Sequence, residues 1–331
     1  MWIVLIYTGA FFAGSLLPLN YVCHKNKVLK IRRSISNKDM LLLLFPLWFY
    51  GQLIVLKNRG SLFHGYTIEY NTEILGPLAT LNTIFLFFYL YNRQNKKNSF
   101  FLLTSLIEFS IILMGFGNRM YIMIPIVALA VYMLDNSIVK YKSVLMSGGC
   151  MAFLFLIIGV LREGRSSVSF ELLFYIGMAE PALTWISCIS MLYLNSIPLF
   201  SFPRHFLSSF YNFIPSILFP GKDAYIQSLN LSYHTPFGAT SIITSITSDF
   251  GVLGGCIALF LLGFLLTSIR INGKGLFGKT YYYCCCGIIP FQLFRDGFTV
   301  VNKMFIGNLL IIPAMIILIN NVLYSITHKK C

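Results

Sequence analysis

Residues 242–267 read IITSITSDFGVLGGCIALFLLGFLLT, a stretch of 26 positions whose single acidic or basic side chain is Asp249. A helix that crosses a bilayer needs about 20 mainly apolar residues, and this stretch reads as one. Working outward, comparable stretches lie at 2–22, 40–56, 73–92, 99–116, 120–138, 143–161, 280–298 and 304–326. A further one, 182–200, is apolar but is bounded by Pro181 and contains Pro198. Only helices satisfy their own backbone in hydrocarbon, so each clear stretch is expected to be a helix.

Composition points the same way. Of 331 residues, 57% are apolar and 11% charged, and the mean hydropathy is +0.75. Soluble domains run at about 45–50% apolar and about 25% charged, and a globule of this length has too little interior to hide so much apolar surface. An aromatic content of 16% excludes disorder. The expected fold is an all-α polytopic integral membrane protein with about 9–11 transmembrane helices. It forms a single transmembrane domain over 1–331, in which 162–241 is a large outer-face segment, a periplasmic or re-entrant lid. Residues 1–22 lack a charged leading region and a convincing cleavage site, so they read as a retained first span rather than a signal peptide. Cys150, Cys188, Cys256 and the run Cys284–Cys286 sit in apolar stretches and behave as small hydrophobes. No CxxC pair or His/Cys cluster suggests a metal, and no cofactor is expected.

The net charge of +14 would suggest nucleic acid in a soluble protein. Here it reads as orientation by cytoplasmic cations, and no nucleic-acid partner is expected. With the N-terminus outside and nine spans, the inner segments hold 16 of the 25 Lys and Arg residues and the C-terminus lies inside. The kind of cation also changes across the membrane. Twelve of the 16 inner cations are Lys, whereas six of the nine outer ones are Arg: Arg59, Arg119, Arg162, Arg165, Arg204 and Arg295. Orientation needs only positive charge. Arg adds a planar fork suited to phosphate and carboxylate, although an outer Arg also serves as a headgroup anchor.

Several groups could carry chemistry. Arg162 and Arg165 are three apart, so on a continuing helix they share a face and could hold one pyrophosphate, with Glu163 orienting one of them or acting as a base. Gly117-Asn118-Arg119 joins two spans with almost no loop, which puts Arg119 at the outer interface. Arg295-Asp296 lies near the end of an apolar stretch, where ionisable residues face a cavity or each other. Glu108 falls in mid-span and is either protonated and structural or paired with a buried cation. Asp249 reads as polar glue between helices or as a base. Residues 203–216 form an aromatic-rich amphipathic shelf, with Phe206, Phe210, Tyr211 and Phe213 on one side. His234 follows it on the outer side, and His205 lies within it.

Five motifs between about residues 115 and 310 carry a resemblance. They are Gly117-Asn118-Arg119, Leu161-Arg162-Glu163-Gly164-Arg165, and Asn212-Phe213-Ile214-Pro215 with Phe219-Pro220-Gly221-Lys222. The fourth runs from Phe237-Gly238-Ala239-Thr240-Ser241 to Ser248-Asp249-Phe250-Gly251-Val252-Leu253-Gly254, and the last is Phe294-Arg295-Asp296. In these the chain resembles the oligosaccharide repeat-unit polymerases of bacterial inner membranes, the O-antigen polymerase (Wzy) type of lipopolysaccharide biosynthesis. The resemblance implies a fold similar to the large integral-membrane glycosyltransferases and a metal-independent glycosyltransferase active at the periplasmic face. The growing polysaccharide hangs on undecaprenyl pyrophosphate, and a hydroxyl of the incoming lipid-linked repeat unit attacks its anomeric carbon. Membrane lipid and a chain-length regulator protein are the implied partners.

That chemistry needs fixed positive charge for the leaving pyrophosphate, for which Arg119, Arg162, Arg165 and Arg295 are the candidates. It also needs a base near the attacking hydroxyl. His234 is the first choice for the base, with Glu163, Glu180 and Asp249 behind it. The alternatives are an O-antigen ligase or a membrane acyltransferase, and a flippase or transporter for the lipid-linked oligosaccharide. A transporter would be expected to show inner-side cation clusters within spans, or an internal repeat, and neither is visible.

Overall fold

The computed structural model describes residues 2–21, 37–62, 72–93, 96–116, 118, 120–162, 169–194, 197–214, 218–221, 224–225, 233–236, 239–272, 275–295 and 297–328. Among these every regular element is helical. The helices are α1 (Trp2–Tyr21), α2 (Asn37–Lys57), α3 (Thr72–Tyr91), α4 (Lys96–Gly115), α5 (Met120–Asp135) and α6 (Tyr141–Arg162). They continue with α7 (Phe170–Leu194), α8 (Arg204–Ser208), α9 (Ile242–Asn272), α10 (Leu276–Arg295), α11 (Phe298–Asn302) and α12 (Ile312–His328). A tighter 3₁₀ turn, Ser209–Phe213, extends α8, and a wider π-helical stretch, Lys303–Ile311, joins α11 to α12.

Five helical windows among the described residues are long and apolar enough to cross a membrane: Met40–Lys57, Ile74–Tyr91, Asn98–Gly115, Ile242–Ile271 and Val300–Leu323. Trp2–Pro18, Met120–Asp135 and Pro181–Tyr193 are shorter apolar helices. The described residues are therefore all-helical, with the elements of a multi-pass membrane protein. Pro181 marks the start of the apolar part of α7, Pro181–Tyr193, but the helix itself begins earlier and runs for 25 residues within the segment 162–241. A helical proline removes one N–H and presses on the carbonyl four residues back. Apolar helices in membranes tolerate this because neighbouring groups re-satisfy the backbone.

The chain divides into two units: one of Met1–Ile31, Met178–Tyr282 and Ile288–Phe305, the other of Arg32–Gly177, Tyr283–Gly287 and Ile306–Cys331. In the second unit α3 is the central helix. It is mostly apolar and largely enclosed, as a central helix must be, and Leu78, Phe85, Leu86, Phe87 and Phe88 are completely buried. Phe85 packs on Phe109 of α4 with ring centroids 5.4 Å apart. Polar side chains here bond between helices, the arrangement that hydrocarbon favours. The Asn82 amide donates to the Tyr121 carbonyl at 2.9 Å, and Asn308 of the π-helical stretch donates to Thr80 and Thr83, each at 3.3 Å. At one end Arg93 lies over the Tyr132 ring at 4.3 Å, and the Tyr283 hydroxyl donates to Asp135 at 2.6 Å.

In the first unit α1 lies along α9. Tyr7 meets Thr247, Gly251 and Gly255, whereas Gly14 meets Phe260 and Gly263 meets Phe11 and Ser15. Contact positions rise together along both chains, so the two helices run parallel. A β-carbon at Gly14 would overlap the Phe260 carbonyl, and one at Gly263 would overlap that of Phe11. Glycine at these two points lets the backbones touch, and small residues of this kind drive helix pairing in lipid.

Candidate functional site

The site of interest is built from α9, the shelf and α11, all within the first unit. The shelf begins after Pro203, whose carbonyl accepts the Leu207 N–H at 3.1 Å. Phe206 and Phe210 stand one helical turn apart and meet edge to face at 5.4 Å, and Phe210 meets Phe213 at 5.5 Å. Phe206 also contacts Phe250 of α9 at 5.5 Å and Phe298 of α11 at 5.2 Å. Edge-to-face pairs add about 0.5–1.5 kcal/mol each beyond area burial, so three separate elements are pinned to one ring cluster. Tyr211, expected on the same side, instead faces Tyr225 at 5.1 Å and Phe219 at 6.4 Å. The 3₁₀ geometry of Ser209–Phe213 rotates it away from its neighbours.

This packing brings Asp249 against His205. Asp249 is 3% exposed, with Oδ1 at 2.6 Å from His205 Nδ1. Its Oδ2 accepts the backbone N–H of Phe206, also at 2.6 Å. A carboxylate can only accept, so Nδ1 carries the proton and the ring is fixed in one tautomer. The imidazole keeps 28% of its side-chain surface exposed. A buried carboxylate therefore holds a partly exposed histidine in a fixed orientation.

Further bonds hold the frame. The Ser209 hydroxyl donates to the Phe206 carbonyl, and Asn302 of α11 donates to Ser209 Oγ, both at 2.6 Å. Ser241 caps α9: its Oγ accepts the Thr244 N–H at 3.1 Å. Gly297, the N-cap of α11, sits against Thr240 and Ser245, which brings the start of α11 to the first turn of α9. Two turns further along, α9 breaks at Gly251, whose φ of 75° and ψ of −178° lie outside the helical region.

Of the residues singled out in the sequence, Asp249 is at the centre of this arrangement, though as the partner of a histidine. His234 is exposed, and its backbone N–H donates to Ser190 Oγ at 3.0 Å. Among the described residues its imidazole has no hydrogen-bond partner. Tyr233 beside it is buried, which pushes its hydroxyl above the ordinary tyrosine value against the lowering effect of bonds with Thr240 and Ser245. Arg162 ends α6, Glu180 lies in α7 and Arg295 ends α10; the described part of each is its helical backbone. Arg119, Glu163 and Arg165 lie outside the described residues. Glu108 is met by neutral donors: Trp48 Nε1 at 2.9 Å and Gln52 Nε2 at 2.7 Å.

The residue that sequence reasoning passed over is His205. The signal was present: Asp249, a carboxylate inside a span, needs a partner, and the shelf supplies one imidazole. Among the described residues the fold is all-helical, with the elements of a multi-pass membrane protein, and a histidine of the aromatic shelf is paired with a carboxylate of α9. The chain matches no protein-family model, no curated protein and no solved structure.

Proposed function

We propose that the chain polymerises undecaprenyl pyrophosphate-linked oligosaccharide repeat units into O-antigen or a related surface polysaccharide, at the periplasmic face of a bacterial inner membrane. The observation that carries this reading is the bond between buried Asp249 and half-open His205 at the start of the aromatic shelf. Glycosyl transfer to a sugar hydroxyl needs a base that is neutral near pH 7 and fixed in one tautomer. His205 has the described geometry for that role, and it replaces His234 as first choice. Asp249 becomes the group that orients it.

In this reading His205 Nε2 accepts the proton of the acceptor hydroxyl. The hydroxyl oxygen forms the new bond to the anomeric carbon, and the bond from that carbon to the lipid pyrophosphate breaks with its electron pair going to the pyrophosphate. Arg119, Arg162, Arg165 and Arg295 are the candidates to hold that leaving group, since a guanidinium fork strengthens its grip as charge develops. The fold would then be similar to the large integral-membrane glycosyltransferases, with 9–11 crossings.

The parallel packing of α1 and α9 fits the crossing count on which the outer placement rests. Helices that run the same way are separated by an odd number of crossings. The stretches 40–56, 73–92, 99–116, 120–138 and 143–161 supply five. Segment 162–241 then begins and ends on one face, opposite the Lys-rich loops.

Reconstitution into liposomes tests the function. Given undecaprenyl pyrophosphate-linked repeat units alone, without nucleotide sugar, the protein is expected to produce a ladder of polymer lengths. Single repeat units remaining after full incorporation would contradict the proposal.

A further inference from the structure

Tyr7 belongs to the first helix, about 240 residues from the site in sequence, yet its side chain ends at the break in α9. It is 1% exposed. Its hydroxyl donates to the Gly251 carbonyl at 3.2 Å and lies 3.1 Å from Thr247 Oγ1, whose proton is shared between it and the Ile243 carbonyl at 2.7 Å. Room for the ring exists because Gly255 has no β-carbon; one there would overlap the phenol.

The break itself is where the geometry of the pair is set. Gly251 has a φ that side-chain-bearing residues rarely adopt. The backbone on either side is met by the segment leading into the shelf. Val252 N–H bonds to the Pro198 carbonyl at 3.1 Å and Leu253 N–H to that of Leu199 at 3.0 Å, while Ser201 N–H bonds to the Phe250 carbonyl at 3.0 Å. Asp249 stands two residues before the break, and His205 stands four residues beyond Ser201. A rotation at Gly251 therefore changes the angle between Asp249 and His205. Tyr7 is tied both to the carbonyl at the break and to Thr247 in the turn before it, so it opposes that rotation.

We propose that Tyr7 is a positioning residue: its hydroxyl locks the α9 break and so keeps Asp249 in register with His205. The inference rests on reading His205 and Asp249 as the proton-accepting pair. It predicts that Tyr7→Phe, which keeps the ring and its packing, loosens the histidine without unfolding the protein.

The test reads the histidine directly, apart from turnover. Full-length protein in lipid nanodiscs is treated with diethyl pyrocarbonate, and modification of His205 is followed by peptide mass spectrometry. Asp249→Asn sets the rate for an unheld ring. Tyr7→Phe is expected to raise the His205 rate about three- to tenfold, the scale of one lost hydrogen bond. Ser15→Ala, on the same helix but away from the break, is expected to leave it unchanged. A wild-type rate in Tyr7→Phe overturns the inference, and so does an equal rise in Ser15→Ala, since that would make general α1 packing the cause. In the polymerisation assay Tyr7→Phe should lower kcat about tenfold with KM for the lipid-linked unit unchanged. A shifted His205 rate together with no polymer from wild-type protein would support the lock and contradict the polymerase reading.

Discussion

Glu108 and Asp249 both place a carboxylate inside an apolar stretch, and the structure treats them differently. Asp249 is buried and holds an imidazole. Glu108 is partly open, at the edge of an apolar groove lined by Val55, Ile107, Ile111 and Ile112, and takes bonds from Trp48 and Gln52. Composition could show that each needed a partner but not which one, because the partners lie 44 to 60 residues away. Glu108→Gln keeps an acceptor for the indole, and Gln52 can turn its amide to match, so stability should fall by less than about 1 kcal/mol. Glu108→Ala leaves two donors unpaired in hydrocarbon and should lose about 1–3 kcal/mol. Thermal unfolding in detergent micelles distinguishes the two, and equal losses would mean the bonds to Glu108 contribute little. The sequence-based ranking of His234 ahead of His205 lacked this pairing for a related reason. Position after the shelf was legible, but the turn that aims one ring at Asp249 is a tertiary event.

At the scale of elements, nearly every apolar stretch became a helix with ends within a few residues of those expected. Apolar length alone decides that in lipid. Three irregular features were not legible: the break at Gly251, the π-helical stretch 303–311 and the 3₁₀ turn of the shelf. Hydropathy does not register them. Gly251 is one of three glycines within five residues, and it is the break because 198–201 pairs there. The glycine seam between α1 and α9 gives a sharper prediction. Gly263→Val forces a side chain into the Phe11 carbonyl and should destabilise the fold by about 1–3 kcal/mol or more. Gly148→Val in α6, where nothing lies within 4 Å, should be neutral. Urea unfolding of both variants in micelles checks this, and a neutral Gly263→Val would mean that α1 and α9 can separate without loss.

For the whole molecule, composition settled the class, and the structure agrees with its helices. Orientation is a separate question: the charge count argues for an outer segment 162–241, and the parallel α1–α9 pairing fits the odd number of crossings that count assumes. Leu218, 76% exposed, and Asn272, at the end of α9, are placed to test it. Each is changed to Cys in a background with the eight native Cys removed. In intact spheroplasts an impermeant thiol reagent should label position 218 and spare 272, and the reverse pattern would move the histidine pair to the cytoplasmic face. The central claim is that this pair drives chain growth, and the most direct measurement is the length ladder made by reconstituted wild-type, His205→Ala and His234→Ala proteins. A positioned base contributes about 10²–10⁴ in rate. The account predicts that His205→Ala leaves single repeat units while His234→Ala makes a near-normal ladder. A normal ladder from His205→Ala, with its loss in His234→Ala, would contradict it.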